Sequence, residues 1–406
     1  MKTGHTHLPH PASRIPHQAF IRNPTDSRVR ARTPHLHPLV HLLVHPYRQS
    51  SRQSCLHSSV FGLPAVALAK AGLQSSVSSL RSLSSRIPLL AALAALCFFF
   101  VLLPVQAEEV ALDKFLARYG FSKPEMSADI FKTESLFTSL LFEKDSRRLT
   151  INNILIWLHE APQVTKEQWK LNRTDIEKTL APILRPPDIE LPRPASLVVL
   201  DPGHGGQDQG AVSPGNIEEK RAVLDIAKRT QKILENSGIT AKLTRRKDVD
   251  LSLAARTAKA KEWQADVFVS IHLNSAANPN ANGVETFLLP AAGKASTAGN
   301  ARDTEKAEGN KFDGANMLLA FYTQTALVRH AGFYDRGVKR ARYTVLKDAP
   351  CPAILVECGF LSNAADEARL AKVAERQKIA EAIAQGIMTY ISRTAWRSGE
   401  AISLSD

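Results

Sequence analysis

The chain has 406 residues and a formal charge of +13, with 52 Lys/Arg against 39 Asp/Glu. Taken alone, that excess suggests a binder of nucleic acid or another polyanion. Its distribution argues against one: residues 1–107 hold eleven of the bases and a single acid, Asp26, which leaves 41 bases against 38 acids in the rest. A near-neutral body in a chain 44% apolar and 22% charged fits an ordinary globular protein of about two domains, with no nucleic-acid partner implied.

Residues 1–86 are rich in Arg, His, Pro and Ser and lack a sustained apolar period, so they read as a disordered leader or an over-long start. The cluster His35, His37, His41 and His45 has no framing element and reads as part of that leader. From Ile87 to Val105 the sequence is IPLLAALAALCFFFVLLPV, after Arg81 and Arg86 and before Gln106-Ala107 and Glu108-Glu109. That order over 87–107 describes a signal peptide, with an uncleaved membrane anchor as the alternative and the only implied membrane contact. Both readings export the body, to the periplasm or the extracellular space. Cys351 and Cys358 are the cysteines of the body; in one extended stretch they stand roughly 20 Å apart, too far for a disulfide.

Residues 108–185 read as a small α+β module, a candidate targeting domain. Leu112 to Tyr119 is a short amphipathic helix, and Leu140 to Glu160 holds three runs of strand formers. Thr174-Asp175 ahead of Ile176, Leu180, Ile183 and Leu184 resembles a capped helix. Lys166, Lys170 and Arg173 share one face if that stretch is helical. His159-Glu160 invites a zincin reading, but Gln163 stands where the second histidine belongs and Pro162 breaks the helix, so His159 is structural or surface. A Pro-rich linker spans 186–194, and a domain boundary is expected there.

Over 195–393 strands and helices alternate, and residues 394–406 form a tail. The order implies an α/β fold with a mostly parallel twisted sheet and helices on both faces. Pro290 to Lys311 is a polar, Ala/Gly-rich stretch without period, long enough for a functional or mobile loop. His330, beside Arg329 in a helical pattern, reads as surface.

Three apolar runs end in ionisable residues. Leu197–Leu200 leads to Asp201 and Pro202-Gly203-His204-Gly205-Gly206, Val267–Ile271 to His272, and Ala353–Val356 to Glu357. Open α/β sheets build their sites just past the carboxyl ends of strands. Glu219, at the start of the first long helix, shares the sheet-facing side with Val223. Two imidazoles and one carboxylate make a three-ligand zinc set with an open fourth position, which assigns His204, Glu219 and His272 to Zn2+. Glu357 is then the acid/base that moves the proton of the attacking water. GHGGQDQG is not a dinucleotide cradle, because Asp208 takes the third glycine's place, and no phosphate-binding lysine follows.

LVVLDPGHGGQDQGA, Glu219-Lys220, Leu253-x-x-Arg256, ADVFVSIHLNS, DRGVKRARYTVL and PAILVECGFLSN resemble, in wording and order, the motifs of the zinc-dependent N-acetylmuramoyl-L-alanine amidases of the amidase-3 type. The resemblance covers about residues 195–393. It implies the same zinc ligands, a catalytic Glu357, and peptidoglycan as substrate, cut at the amide between N-acetylmuramic acid and L-alanine. Lys261 departs from the pattern, which usually has Asn there, and lies away from the ligands. Some members of that family carry a helix that plugs the site until a protein activator moves it. Pro290–Lys311 has too little apolar period for a plug and reads as a flexible substrate-side loop. Two further readings stay open: an exported zinc peptidase, and a non-catalytic wall-binding protein.

Overall fold

The computed structural model describes residues 109–395 except 167, 190 and 192, so the leader, the export signal and nearly all of the tail lie outside the described residues. In chain order the first unit carries β1 (Glu109–Ala111), α1 (Leu112–Ala117), β2 (Glu125–Met126), β3 (Ile130–Glu134), β4 (Ser139–Glu143), β5 (Arg148–Ile151), β6 (Ile154–Trp157), β7 (Gln163–Thr165) and β8 (Gln168–Asn172). A helical segment with a π turn at Ile176–Leu180 follows. The second unit comprises β9 (Leu197–Pro202), α2 (Glu219–Asn236), β10 (Thr240–Leu243), α3 (Leu253–Glu262), β11 (Val267–Asn274), β12 (Val284–Leu288), α4 (Asp313–Arg329), β13 (Asp335–Arg340), α5 (Thr344–Lys347), β14 (Ala353–Phe360), α6 (Ala364–Leu370) and α7 (Val373–Ala395). Among the described residues no helix is long and apolar enough to cross a membrane.

The central strands are continuous apolar runs because both of their faces are covered. Val198, Leu200, Val267, Val269, Ile271, Ile354 and Val356 point into the core under α2, α4 and α7. Their alternates Val199, Phe268, Ala353 and Leu355 join Ala260 of α3 and Val345 and Leu346 of α5 in a second core on the opposite face. Strands β10, β9, β11 and β14 are mutually parallel, and β12 then runs antiparallel to β14. The α/β sheet with helices on both faces is thus observed as expected.

The two units share one sheet. Its order is β10-β9-β11-β14-β12-β13-β6-β5-β4-β3-β2, joined where Val338 of β13 pairs in parallel with Ile156 of β6. Phe131, Phe142, Trp169 and Leu171 belong to the same hydrophobic core as Ile226 and Ile383. The linker is also tied down: Asp266 accepts from the backbone N–H of Ser196 and Leu197, each at 2.9 Å, and from Arg193 Nε at 2.5 Å.

Two local expectations fail. Lys166, Lys170 and Arg173 do not share a helix face: β7 and β8 form a hairpin, and Lys166 sits at its turn with φ +48°. Trp169 and Leu171 alternate inward, the period of a strand. The helix after it is capped by Asn172, whose side chain accepts from Thr174 N at 2.8 Å, while Asp175 turns into the core.

Candidate metal centre and cleft

The turn after β9 carries the first functional side chain in a costly conformation. His204 has φ +57°, a left-handed value uncommon outside glycine, and such a residue persists only where its surroundings over-determine it. Here two buried guanidinium groups hold the turn. Arg256 donates to His204 O, Pro202 O and Asp201 Oδ1, each at 2.8 Å; Arg245 donates to Gly203 O at 2.6 Å and Pro202 O at 3.0 Å. Asp201, fully buried, also accepts from Thr244 Oγ1 at 2.6 Å and Ser270 Oγ at 2.9 Å. From outside, Asp248 and Asp250 accept from the N–H of Gly206 and Gln207, and Lys220 Nζ donates to Gly206 O at 2.8 Å.

His272 and Glu357 stand inside strands rather than past their ends, because the ladder continues to Asn274 and Phe360. They are register partners on neighbouring parallel strands. Glu219 comes from the first residue of α2. His204, Glu219 and His272 offer ligand atoms within 4.8 Å of one another. Glu219 Oε1 lies 3.1 Å from His204 Nε2 and 3.0 Å from His272 Nδ1. Two glycines make the approach fit: a Cβ on Gly203 would come 2.2 Å from His272 Cε1, and one on Gly210 would come 2.5 Å from Glu219 Oε2.

His204 Nδ1 is 2.8 Å from Asp208 Oδ2, and an ionised carboxylate only accepts, so the ring donates there and keeps its Nε2 lone pair for the site. Burial disfavours the charged form of His204, but contacts to Glu219 and Asp208 outweigh it and raise its pKa. Burial also opposes ionisation of Glu219; its contacts with His204 and His272 win and hold its pKa down to about 2. The donor set, two imidazole nitrogens and a carboxylate oxygen, suits a metal ion of the zinc type.

Glu357 is the odd carboxylate. Its Oε2 is buried without a hydrogen-bond partner, and burial followed by the nearby charges of Glu219 and Glu285 pushes its pKa well above the ordinary value. With His204, His272, Arg256, Leu253, Arg342 and Tyr343 it lines a cleft of about 500 Å3. Tyr343 packs edge-on against Phe287, and burial with the charges of Glu357 and Glu285 pushes its phenol up to about 12.

The structure brings the four sequence-derived site residues to one place. His159 is buried and hydrogen-bonded, and His330 is exposed at the end of α4, as expected. Sequence reasoning missed Asp208, four residues after His204, and gave no role to Arg256, although both stand in the quoted motifs. Spacing alone carries no sign of the contacts that make them matter.

A family model described as N-acetylmuramoyl-L-alanine amidase matches residues 198–389. N-acetylmuramoyl-L-alanine amidase AmiC of Neisseria meningitidis is 34% identical over 226 residues, 50% of this chain and 54% of that protein. N-acetylmuramoyl-L-alanine amidase AmiA of Escherichia coli is 34% identical over 218 residues, 48% of this chain and 75% of that protein. The solved catalytic domain of the amidase CwlV from Bacillus (Paenibacillus) polymyxa is 31% identical, with 48% of this chain and 98% of that domain covered and a TM-score of 0.42. The chain belongs to the N-acetylmuramoyl-L-alanine amidase family. It spans about half the length of the Neisseria relative.

Proposed function

We propose that this chain is an exported, zinc-dependent peptidoglycan amidase that hydrolyses the bond between N-acetylmuramic acid and L-alanine. The observation that carries the reading is the convergence of His204, Glu219 and His272 around one point, with Glu357 on the adjacent strand, in a member of this family. A zinc ion held by these three residues would supply Lewis-acid chemistry at the scissile carbonyl and would favour deprotonation of the attacking water.

The protein's own groups do the rest. Asp208 fixes the ring of His204, and Glu219 accepts from the backbone N–H of Leu273 and Ala211, at 3.0 and 2.9 Å, which sets its carboxylate plane. Glu357, with a free buried oxygen and raised proton affinity, is suited to take a proton from the attacking water and return it to the leaving nitrogen. Export is supported by the apolar run 87–105 behind Arg81 and Arg86. The division at 186–194 into a first unit and a catalytic domain over 195–393 is supported by the span of the family match.

The test is product analysis on purified peptidoglycan. New L-alanine amino termini with intact glycan chains, lost on chelation and restored by Zn2+, support the reading. Cleavage within the peptide stem instead would identify a peptidase, and binding without cleavage a wall-binding protein.

A further inference from the structure

The first unit lies outside the family match, yet several of its polar contacts run to the segments that carry one wall of the cleft, the end of β13 and the start of the 290–311 stretch. Arg340 ends β13, is 1% exposed, and sits two residues before the cleft residue Arg342. Its guanidinium donates to Trp157 O and, at 2.7 Å, to Thr179 Oγ1, which donates to Asp175 Oδ1 at 2.8 Å. A buried cation needs a counter-charge. The nearest one on this chain of contacts is Asp175 in the first unit.

Asp175 also receives His159 Nδ1–H at 2.9 Å, which leaves His159 Nε2 to accept from Ala291 N at 3.3 Å. Next to it, Glu160 Oε1 takes Lys294 Nζ at 2.7 Å. The 290–311 stretch, expected as a flexible loop, is therefore pinned at its start by two neighbouring residues of the first unit. Thr297 continues the attachment: its N–H donates to Arg340 O at 2.9 Å, and its Oγ1 accepts from Arg340 N at 2.8 Å. The same loop offers Lys294 O to Arg342 Nη2 at 2.5 Å and Ala301 O to Arg342 Nη1 at 3.3 Å.

We propose that residues 109–185 are a built-in brace for the cleft, acting through Arg340 as a positioning residue and through loop 290–311 on the wall formed by Arg342 and Tyr343. This rests on the amidase reading for its catalytic consequence, and its structural part stands apart from it. A guanidinium fixed by backbone carbonyls is a rigid wall for a charged, flexible substrate strand, and a shift of about 1 Å there degrades positioning.

The experiment uses the full chain with Lys294→Glu, Glu160→Lys and the double charge swap, because Arg340 substitutions risk the fold. Hydrogen exchange is read first: each single variant should speed exchange at residues 291–303 and 342–346 about tenfold, leave β9 and β11 unchanged, and be largely restored in the swap. On peptidoglycan fragments the single variants should raise KM about three- to tenfold, with kcat and bound zinc near wild type. Wild-type exchange in both single variants overturns the brace, and so does a loss of KM, kcat and zinc together that the swap does not restore. An inactive wild type with the expected exchange pattern would instead count against the amidase reading alone.

Discussion

Glu285 and Glu357 face each other across β12 and β14, and only one of them is neutralised. Glu285 accepts from Asn274 Nδ2 at 2.7 Å and Arg336 Nε at 3.0 Å and contacts Lys339 Nζ, whereas Glu357 keeps an unpartnered oxygen. Like charges directly opposite destabilise a sheet. The arrangement pairs one carboxylate with cations and leaves the other buried with its proton affinity raised.

Glu357→Gln should therefore separate chemistry from metal binding and from stability. Turnover should fall about 10²–10⁴-fold while bound zinc stays stoichiometric. The folded pKa of Glu357 is raised above its ordinary 4.5, so its stabilising contribution is present below that pH and is lost as pH rises through the folded value. Metal-free Glu357→Gln should then resist urea better than metal-free wild type at pH 7 and equally at pH 4. Wild-type turnover in the variant would remove Glu357 from the mechanism.

The site was legible because parallel strands buried on both faces read as unbroken apolar runs, and the runs end near His204, His272 and Glu357. The union of the two units was not. Strand β13, Asp-Arg-Gly-Val-Lys-Arg, looks polar because Arg336 and Lys339 pair with Glu285 and because Arg340 is buried against the first unit. No local period reports such partners, which lie 50 to 180 residues away. The hairpin of β7 and β8 was obscured in the same way, since Trp169 fits a strand only once Phe131, from β3, is known to pack against it.

Asp208→Ala tests how His204 is oriented. The carboxylate is exposed, so its Coulombic effect is screened, and its main role is to hold the ring with Nε2 towards Glu219. Loss of such a partner typically costs 10–100-fold in metal affinity, and about tenfold is expected here. Zinc competition against a chelator measures it, with an unchanged affinity counting against the assignment.

Gly203→Ala tests the packing beneath His272. The new methyl would meet the imidazole at 2.2 to 2.7 Å from three ring atoms, so the ring must leave its place. Overpacking of this kind costs about 1–3 kcal/mol, which a core shared by two units should tolerate. The variant should fold, as judged by circular dichroism, and bind zinc weakly. Full zinc binding would mean that His272 is free to move and is not held as a ligand.

His159 gives the stability of the joint its own pH window. Burial, then the charge of Arg340, lowers its pKa from 6.5 to about 4 against the opposing pull of Asp175, so the buried ring is neutral at pH 7. Between those values the unfolded chain binds a proton that the folded protein refuses. Stability from this group is thus complete above pH 6.5 and is lost as pH falls towards 4, by about 3 kcal/mol in all. His159→Gln keeps a donor for Asp175 and an acceptor for Ala291 N but cannot titrate. Urea unfolding at pH 7, 5.5 and 4 should show wild type ahead at pH 7 and the difference shrinking as the pH falls. Parallel losses in both proteins across that range would show that the acid sensitivity arises elsewhere.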